Sequence, residues 1–240
     1  MGLGKTIVII PTFKEEENLR RLLPQILELP IDILIVDDAS KDGTPDLVRV
    51  FQKSNYRLAI LERPQKMGLG SAYRDGFTWA LDHGYSTIIQ MDADGSHRVS
   101  DLKEMLGLSN SQANVELVIG SRWIKGGAVR NWPKHRELLS RSANLYSRVL
   151  LGLTIKDSTA GFRIYSSDLL KKMNLQGITS EGYAFQIEMT REAHRIGAQI
   201  VEVPIIFVER EFGVSKMSGA IVREALLRVT TWGLARLIGR

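Results

Sequence analysis

Thr87-Ile88-Ile89-Gln90-Met91 runs directly into Asp92-Ala93-Asp94. The first five residues read as a buried strand, short and largely apolar, and the next three open it into a loop. Two carboxylates two residues apart at a strand's end can face one hard cation and the phosphates of a bound nucleotide. Mg²⁺ or Mn²⁺ suits such oxygen ligands and completes its shell with water and substrate phosphates. An isolated Asp-X-Asp is more often a solvated turn. The strand before this one carries the argument, because ligands of open α/β sheets bind outside the carboxyl ends of the strands.

Outward from that point, short β-branched runs alternate with helical patterns through the first two-thirds of the chain, which predicts an α/β fold with a mostly parallel sheet. Strands are expected at 6–10, ended by Pro11, and at 31–36, 57–61, 87–91 and 115–119. Helical spacing at Leu19, Leu22, Leu23, Ile26 and Leu27 contains Pro24, which predicts a kink or an early end there. Further helices are expected at 45–51 and 71–81. A second acidic cluster, Val36-Asp37-Asp38-Ala39-Ser40-Lys41-Asp42-Gly43-Thr44, also stands at a strand's carboxyl end, so both clusters are expected to face one crevice. Asp42-Gly43 reads equally as a turn, with Thr44 capping the helix that Pro45 starts.

After residue 122 the pattern changes. Residues 125–136 hold paired glycines, a proline and Lys125, Arg130, Lys134, His135 and Arg136, the composition of a mobile basic loop. Helices at 137–151 and 185–196, a strand at 200–207 broken by Pro204, and a helix at 219–238 complete the reading. No internal repeat or linker is visible, so residues 1–240 are expected to form one domain.

Composition narrows the function. Cysteine is absent from the 240 residues, which excludes disulfides, thiolate metal sites and cysteine nucleophiles and suits a reducing cytoplasm. A formal charge of +5 favours an anionic partner. Basic residues alternate with acidic ones along most helices and no nucleic-acid-binding signature occurs, so nucleic acid is not expected. Gly2-Leu3-Gly4-Lys5-Thr6 resembles the end of a phosphate-binding loop but precedes a strand instead of following one, and is rejected. Gly68-Leu69-Gly70 reads as a tight turn close to a ligand. The N-terminus lacks a signal-peptide core, and no apolar run reaches the roughly 20 residues a spanning helix needs. A lipid substrate would therefore be met from the membrane's cytoplasmic surface. The loop with Trp132, and Arg228, Trp232, Arg236 and Arg240, are the segments expected to touch it.

Taken together and in order, residues 11–18, 36–44, 68–70, 92–97 and 120–122 resemble family 2 glycosyltransferases, and Asp157-Ser158-Thr159-Ala160-Gly161-Phe162-Arg163 resembles the subfamily making dolichyl-phosphate mannose. The resemblance implies a GT-A fold and inverting transfer of mannose from GDP-mannose to dolichyl or polyprenyl phosphate, with Mg²⁺ or Mn²⁺. It implies that Pro11, Phe13, Glu15, Val36 and Asp38 hold base and ribose, and that Asp92, Ala93 and Asp94 form the diphosphate–metal centre. Arg122, Arg210 and Lys216 are the implied phosphate-facing cations, and Arg136 and Ser140 the acceptor-phosphate residues. Ser96 stands where many relatives carry Gln, leaving its hydroxyl or a water as the third metal ligand, and Phe13 stands where Tyr is common. A separate membrane protein is a candidate anchor. The alternatives are a UDP-glucose-dependent polyprenyl-phosphate glucosyltransferase and a non-catalytic nucleotide-sugar binder. His97, His135, His194, Glu181 and Glu188 are expected to be structural or solvated.

Overall fold

A computed structural model of the chain describes residues 5–112, 114–210 and 219–238. Its main sheet has seven strands: β1 (Thr6–Thr12), β2 (Asp32–Asp37), β3 (Leu58–Glu62), β4 (Thr87–Gln90), β5 (Leu117–Ser121), β7 (Arg163–Ser166) and β8 (Ile200–Pro204). Their order is β3-β2-β1-β4-β7-β5-β8. All neighbours run parallel except β7, which is antiparallel to both β4 and β5. Strands β1, β2 and β4 are buried on both faces, which explains their near-continuous apolar runs.

One face of the sheet is covered by α1 (Glu16–Leu27), α2 (Thr44–Gln52) and α4 (Val99–Ser111). The other is covered by α3 (Leu69–Asp82), α6 (Ser167–Lys172) and α7 (Gly182–Arg195). Gly76 lets α3 lie against the sheet, since a Cβ there would stand 2.6 Å from Ile9 Cγ2 and 3.2 Å from Val36 Cγ2. Two long helices, α5 (Lys134–Leu151) and α8 (Gly219–Leu237), pack together beside α7 around Leu151, Leu153, Ile187 and Val229.

Three local expectations change. Helix α1 runs through Pro24 to Leu27 without ending there. Pro24 is on the exposed side, so the Arg20 carbonyl left without a partner by the missing N–H can face water. Residues 125–136 are not simply a loop. Residues Ala128–Arg130 form β6, paired in parallel with β9 (Ile206–Val208), and α5 starts at Lys134. The segment after Pro204 leaves the main sheet at Ile205, whose N–H still reaches Ser121 O at 3.1 Å while its carbonyl accepts from Ala128 N at 3.0 Å. Helix α4, over Val99–Ser111, was missed altogether; its Gly107 and its Ser-Asn-Ser end dilute the apolar period.

Candidate active site

Parallel strands put their carboxyl ends on one edge of the sheet, and there Phe13, Asp38, Asp92–Asp94 and Arg122 come together. Antiparallel β7 adds what precedes it: Arg163 is in register with Gln90 of β4 and Ile119 of β5, so the stretch 157–161 arrives at the same edge. The result is a cavity of about 410 Å³. Of the expected donor-site residues, Pro11, Phe13, Glu15, Asp38, Asp92, Ala93, Asp94, Arg122 and Arg210 line it, together with Arg136. Lys216 lies outside the described residues.

Asp92 and Asp94 differ in environment. Asp92 Oδ1 accepts from the buried Tyr73 hydroxyl at 2.8 Å, and its own N–H donates to His97 Nδ1 at 3.2 Å. Burial pushes its carboxyl above the usual carboxylate range, and burial likewise lowers the His97 imidazole. His97 is buried and stacks on Phe162 with ring centroids 4.6 Å apart. Asp94 Oδ1 accepts the Ser96 N–H at 3.1 Å, and its Oδ2 lies 3.3 Å from Arg210 Nη2.

Among the described residues no three His, Cys, Asp or Glu side chains group into a metal cage. The donor set nevertheless suits a hard cation, since the carboxylates of Asp92 and Asp94 both line the cavity. A Mg²⁺ or Mn²⁺ ion held by so few side chains would take diphosphate oxygens and water for the rest of its shell. Ser96 is buried below the cavity wall and does not line it.

Two other expected residues are placed differently from the reading given above. Val36 is fully buried against α3, under the cavity instead of on its wall. The Asp38 carboxylate is already engaged: Oδ1 accepts from Arg63 Nη1 at 2.7 Å and Met67 N at 2.8 Å, and Oδ2 from Gly68 N at 2.9 Å. Asp38 therefore shapes the turn that ends at Gly68, whose φ of +100° favours glycine. Glu181 closes that turn from the far side, accepting Gly70 N at 2.7 Å and Ser71 N at 3.1 Å at the start of α3. Burial raises its carboxyl despite those amides.

Arg122 is 4% exposed and forms a two-pronged pair with fully buried Asp157, Nε to Oδ2 at 2.8 Å and Nη2 to Oδ1 at 2.7 Å. Its guanidinium carbon stands between 5.3 and 5.6 Å from the rings of Trp123, Trp132 and Phe207. Arg136 stacks over Trp132 at 4.1 Å and pairs with Glu209. Sequence reasoning missed Lys66, 3.8 Å over the Phe13 ring, and also Tyr73, Tyr183 and Gln186. None of these carries a local motif; Lys66 reaches the site from a loop, Tyr73 from α3, and Tyr183 and Gln186 from α7.

A second cavity of about 340 Å³ opens between α5, α7 and α8. Its walls are largely apolar, including Leu139, Ala143, Tyr146, Ile187, Leu226 and Val229, and Ser140 belongs to it. Trp132, Arg136, Thr159 and Tyr183 line both cavities, so the two adjoin.

The model of the family described as Glycosyl transferase family 2 matches residues 7–173. The chain belongs to glycosyltransferase family 2. This glycosyltransferase is 46% identical over 239 residues to a protein of Mycolicibacterium smegmatis named polyprenol monophosphomannose synthase, covering 98% of this chain and 89% of that one. It is 46% identical over 233 residues to the undecaprenyl-phosphate mannosyltransferase of Micrococcus luteus, covering 96% and 95%. Among solved structures it resembles glucosyl-3-phosphoglycerate synthase from Mycobacterium tuberculosis, with a TM-score of 0.67 at 17% identity over 98% of this chain and 79% of that one. It also resembles a Pyrobaculum calidifontis mannosyltransferase in complex with GDP-Man and Mn²⁺, with a TM-score of 0.61 at 18% identity over 99% and 65%. These likenesses establish the GT-A fold of the glycosyltransferase.

Proposed function

We propose that this enzyme transfers mannose, with inversion, from GDP-mannose to the phosphate of a polyprenol. The observation that carries the reading is the junction of the two cavities. The cavity that carries the charged groups of Asp92, Asp94, Arg122 and Arg210 meets an almost wholly apolar one at Arg136, one turn before Ser140. A phosphate with a hydrocarbon tail matches that change of lining, with its charge at the junction and its tail between α5, α7 and α8. The names of the two relatives at 46% identity support the same acceptor and sugar.

The chemistry is a single displacement at the anomeric carbon. The acceptor phosphate oxygen forms the new bond as the bond to the nucleoside diphosphate breaks, and the bonding pair leaves with GDP. A phosphate monoester, with a second pKa of about 6, is largely a dianion at neutral pH and needs orientation more than a general base. Arg136 supplies that orientation and part of the charge neutralisation, held in place by the Trp132 ring and Glu209. Asp94, with Asp92 beside it, would hold a divalent ion, which would supply charge stabilisation for the departing diphosphate. Arg210, already next to Asp94, is placed to add positive charge there. Phe13 presents its ring to the base, with Lys66 over one face.

Lipid contact is read here on α5 and on α8, the helix that carries the expected Arg228, Trp232 and Arg236. Trp132 lines both cavities, Trp232 packs at the small core under α8, and Arg228 pairs with Glu224. Exposed apolar side chains instead stud α5 and α8, among them Leu138, Leu145, Val149, Leu227, Leu234 and Leu237. Arg141 and Arg148 lie on α5 among them. No helix of the described residues is long and apolar enough to cross a membrane. The reading is peripheral attachment to a cytoplasmic membrane face through α5 and α8. A Leu138→Glu/Leu145→Glu variant should float with phosphatidylglycerol vesicles about tenfold less than wild type. Unchanged flotation would rule this surface out.

The function itself is tested with radiolabelled GDP-mannose, polyprenyl phosphate and MnCl₂ or MgCl₂, with and without EDTA, beside UDP-glucose. Label in the lipid phase from GDP-mannose, abolished by EDTA, is the expected result. Label from UDP-glucose alone would replace the donor, and nucleotide binding with no transfer would support a non-catalytic binder. In the same assay Arg136→Gln should raise the KM for polyprenyl phosphate about tenfold or more, while GDP affinity stays within about twofold. An unchanged acceptor KM would remove Arg136 from the acceptor site.

A further inference from the structure

The buried face of α5 is unusual for a helix packed on a protein core. Its buried residues are Asn144, Ser147 and Leu151, two of them polar. The helix is therefore located mainly by directional hydrogen bonds, which specify a position more sharply than apolar contact does. Asn144, 3% exposed, makes most of them. Its Nδ2 donates to Thr159 Oγ1 at 2.9 Å and to Ser140 O at 3.0 Å, and lies 3.4 Å from Asp157 Oδ1. Its Oδ1 accepts from Ser158 Oγ at 3.1 Å and Thr159 N at 3.3 Å.

The far side of Thr159 belongs to the donor cavity. Arg122 Nη2 donates to the same Thr159 Oγ1 at 2.8 Å, while Asp157 holds the rest of the guanidinium. One hydroxyl thus receives a hydrogen bond from a donor-cavity arginine and another from the helix that carries Arg136 and Ser140. Arg136, Ser140 and Asn144 stand at four-residue intervals, so they share one side of α5. We infer that Asn144 is a positioning residue that couples the two cavities, setting the acceptor-phosphate side chains of α5 in register with Arg122 through Thr159. The inference rests on the donor and acceptor reading of the cavities given above.

An apolar residue here would take one hydrogen bond from each of the Thr159 and Ser158 hydroxyls, which keep Arg122 and Ser147, and would remove the side-chain acceptor of the buried Thr159 N–H. Asn144→Asp keeps the shape but loses the donors and sets a second carboxylate beside Asp157. Asn144→Ala and Asn144→Asp should each raise the KM for polyprenyl phosphate and lower kcat by about tenfold, with GDP affinity within about twofold of wild type. A readout independent of transfer is hydrogen exchange on the full chain. GDP with MnCl₂ should slow exchange of the 134–151 amides in wild type and leave them unprotected in either variant. If wild type transfers no sugar, the functional reading fails while the exchange result still decides the coupling. Acceptor parameters unchanged in both folded variants, or equal losses of GDP and acceptor affinity, would overturn the inference. So would a lower melting temperature with α5 protection intact. Should Asn144→Ala fail to fold, Asn144→Asp carries the same comparison.

Discussion

Arg122→Ala should destabilise the enzyme by about 3–5 kcal/mol, because it leaves the Asp157 carboxylate buried and without its cation. Asp157 is fully buried, and without the guanidinium its carboxylate would keep, among the described residues, only neutral donors: the N–H of residue 122, the Thr159 hydroxyl and, at 3.4 Å, Asn144 Nδ2. For a chain of this size that loss corresponds to melting roughly 6–20 °C lower. Transfer should be abolished as well, since Arg122 lines the donor cavity and fixes Thr159. The two effects separate in Arg122→Met/Asp157→Leu, where both charges go together. That double variant should regain much of the lost stability, as apolar replacements of buried ion pairs often do, and remain inactive. Calorimetric melts and the radiolabel assay check both halves. Melting of Arg122→Ala within about 2 °C of wild type would show that the pair is not the structural tie its burial implies.

Asp94→Asn should do the opposite, leaving the fold nearly intact and removing catalysis. Asp94 lies at the cavity wall and, among the described residues, meets the Ser96 amide and Arg210, contacts that an asparagine oxygen partly reproduces. If Asp94 is the metal ligand proposed above, removing its charge takes away that ligand, and transfer should fall by about 10²–10³-fold. GDP titrations with and without MnCl₂ provide the second readout. The metal-dependent gain in GDP affinity should vanish in the variant, while affinity in EDTA stays within about twofold. Retention of more than about a tenth of wild-type transfer would move the metal centre away from Asp94.

The parallel α/β architecture was legible because strands buried on both faces must be apolar throughout, as residues 7–10 and 33–36 are. Asp92–Asp94 and Asp38 were legible as residues of the cavity edge for a related reason: they stand where parallel strands end, at the edge on which the cavity opens. Arg136 and Ser140 came from resemblance, and their four-residue spacing continues to Asn144, a signal that was present and unused. Tyr73, Lys66 and Glu181 had no such signal. Each becomes part of the site by a contact across at least 19 positions of sequence: Tyr73 to Asp92, Lys66 to Phe13, Glu181 to Gly70.

The difference between the two kinds of residue is physical. Periodicity and strand-end chemistry are local properties, written in consecutive side chains, and they suffice for the element types, the sheet and the acidic edge. Which oxygen of Asp38 meets which amide, or whether Trp132 points into a cavity or toward a lipid surface, depends on how elements distant in the chain pack. Antiparallel β7 is the clearest instance. Its direction brings Asp157 and Thr159 to Arg122 and, through Asn144, ties α5 to the edge of the first cavity. No pattern within residues 157–163 states that direction, because strand orientation is settled by the chain's return path and by burial against its neighbours.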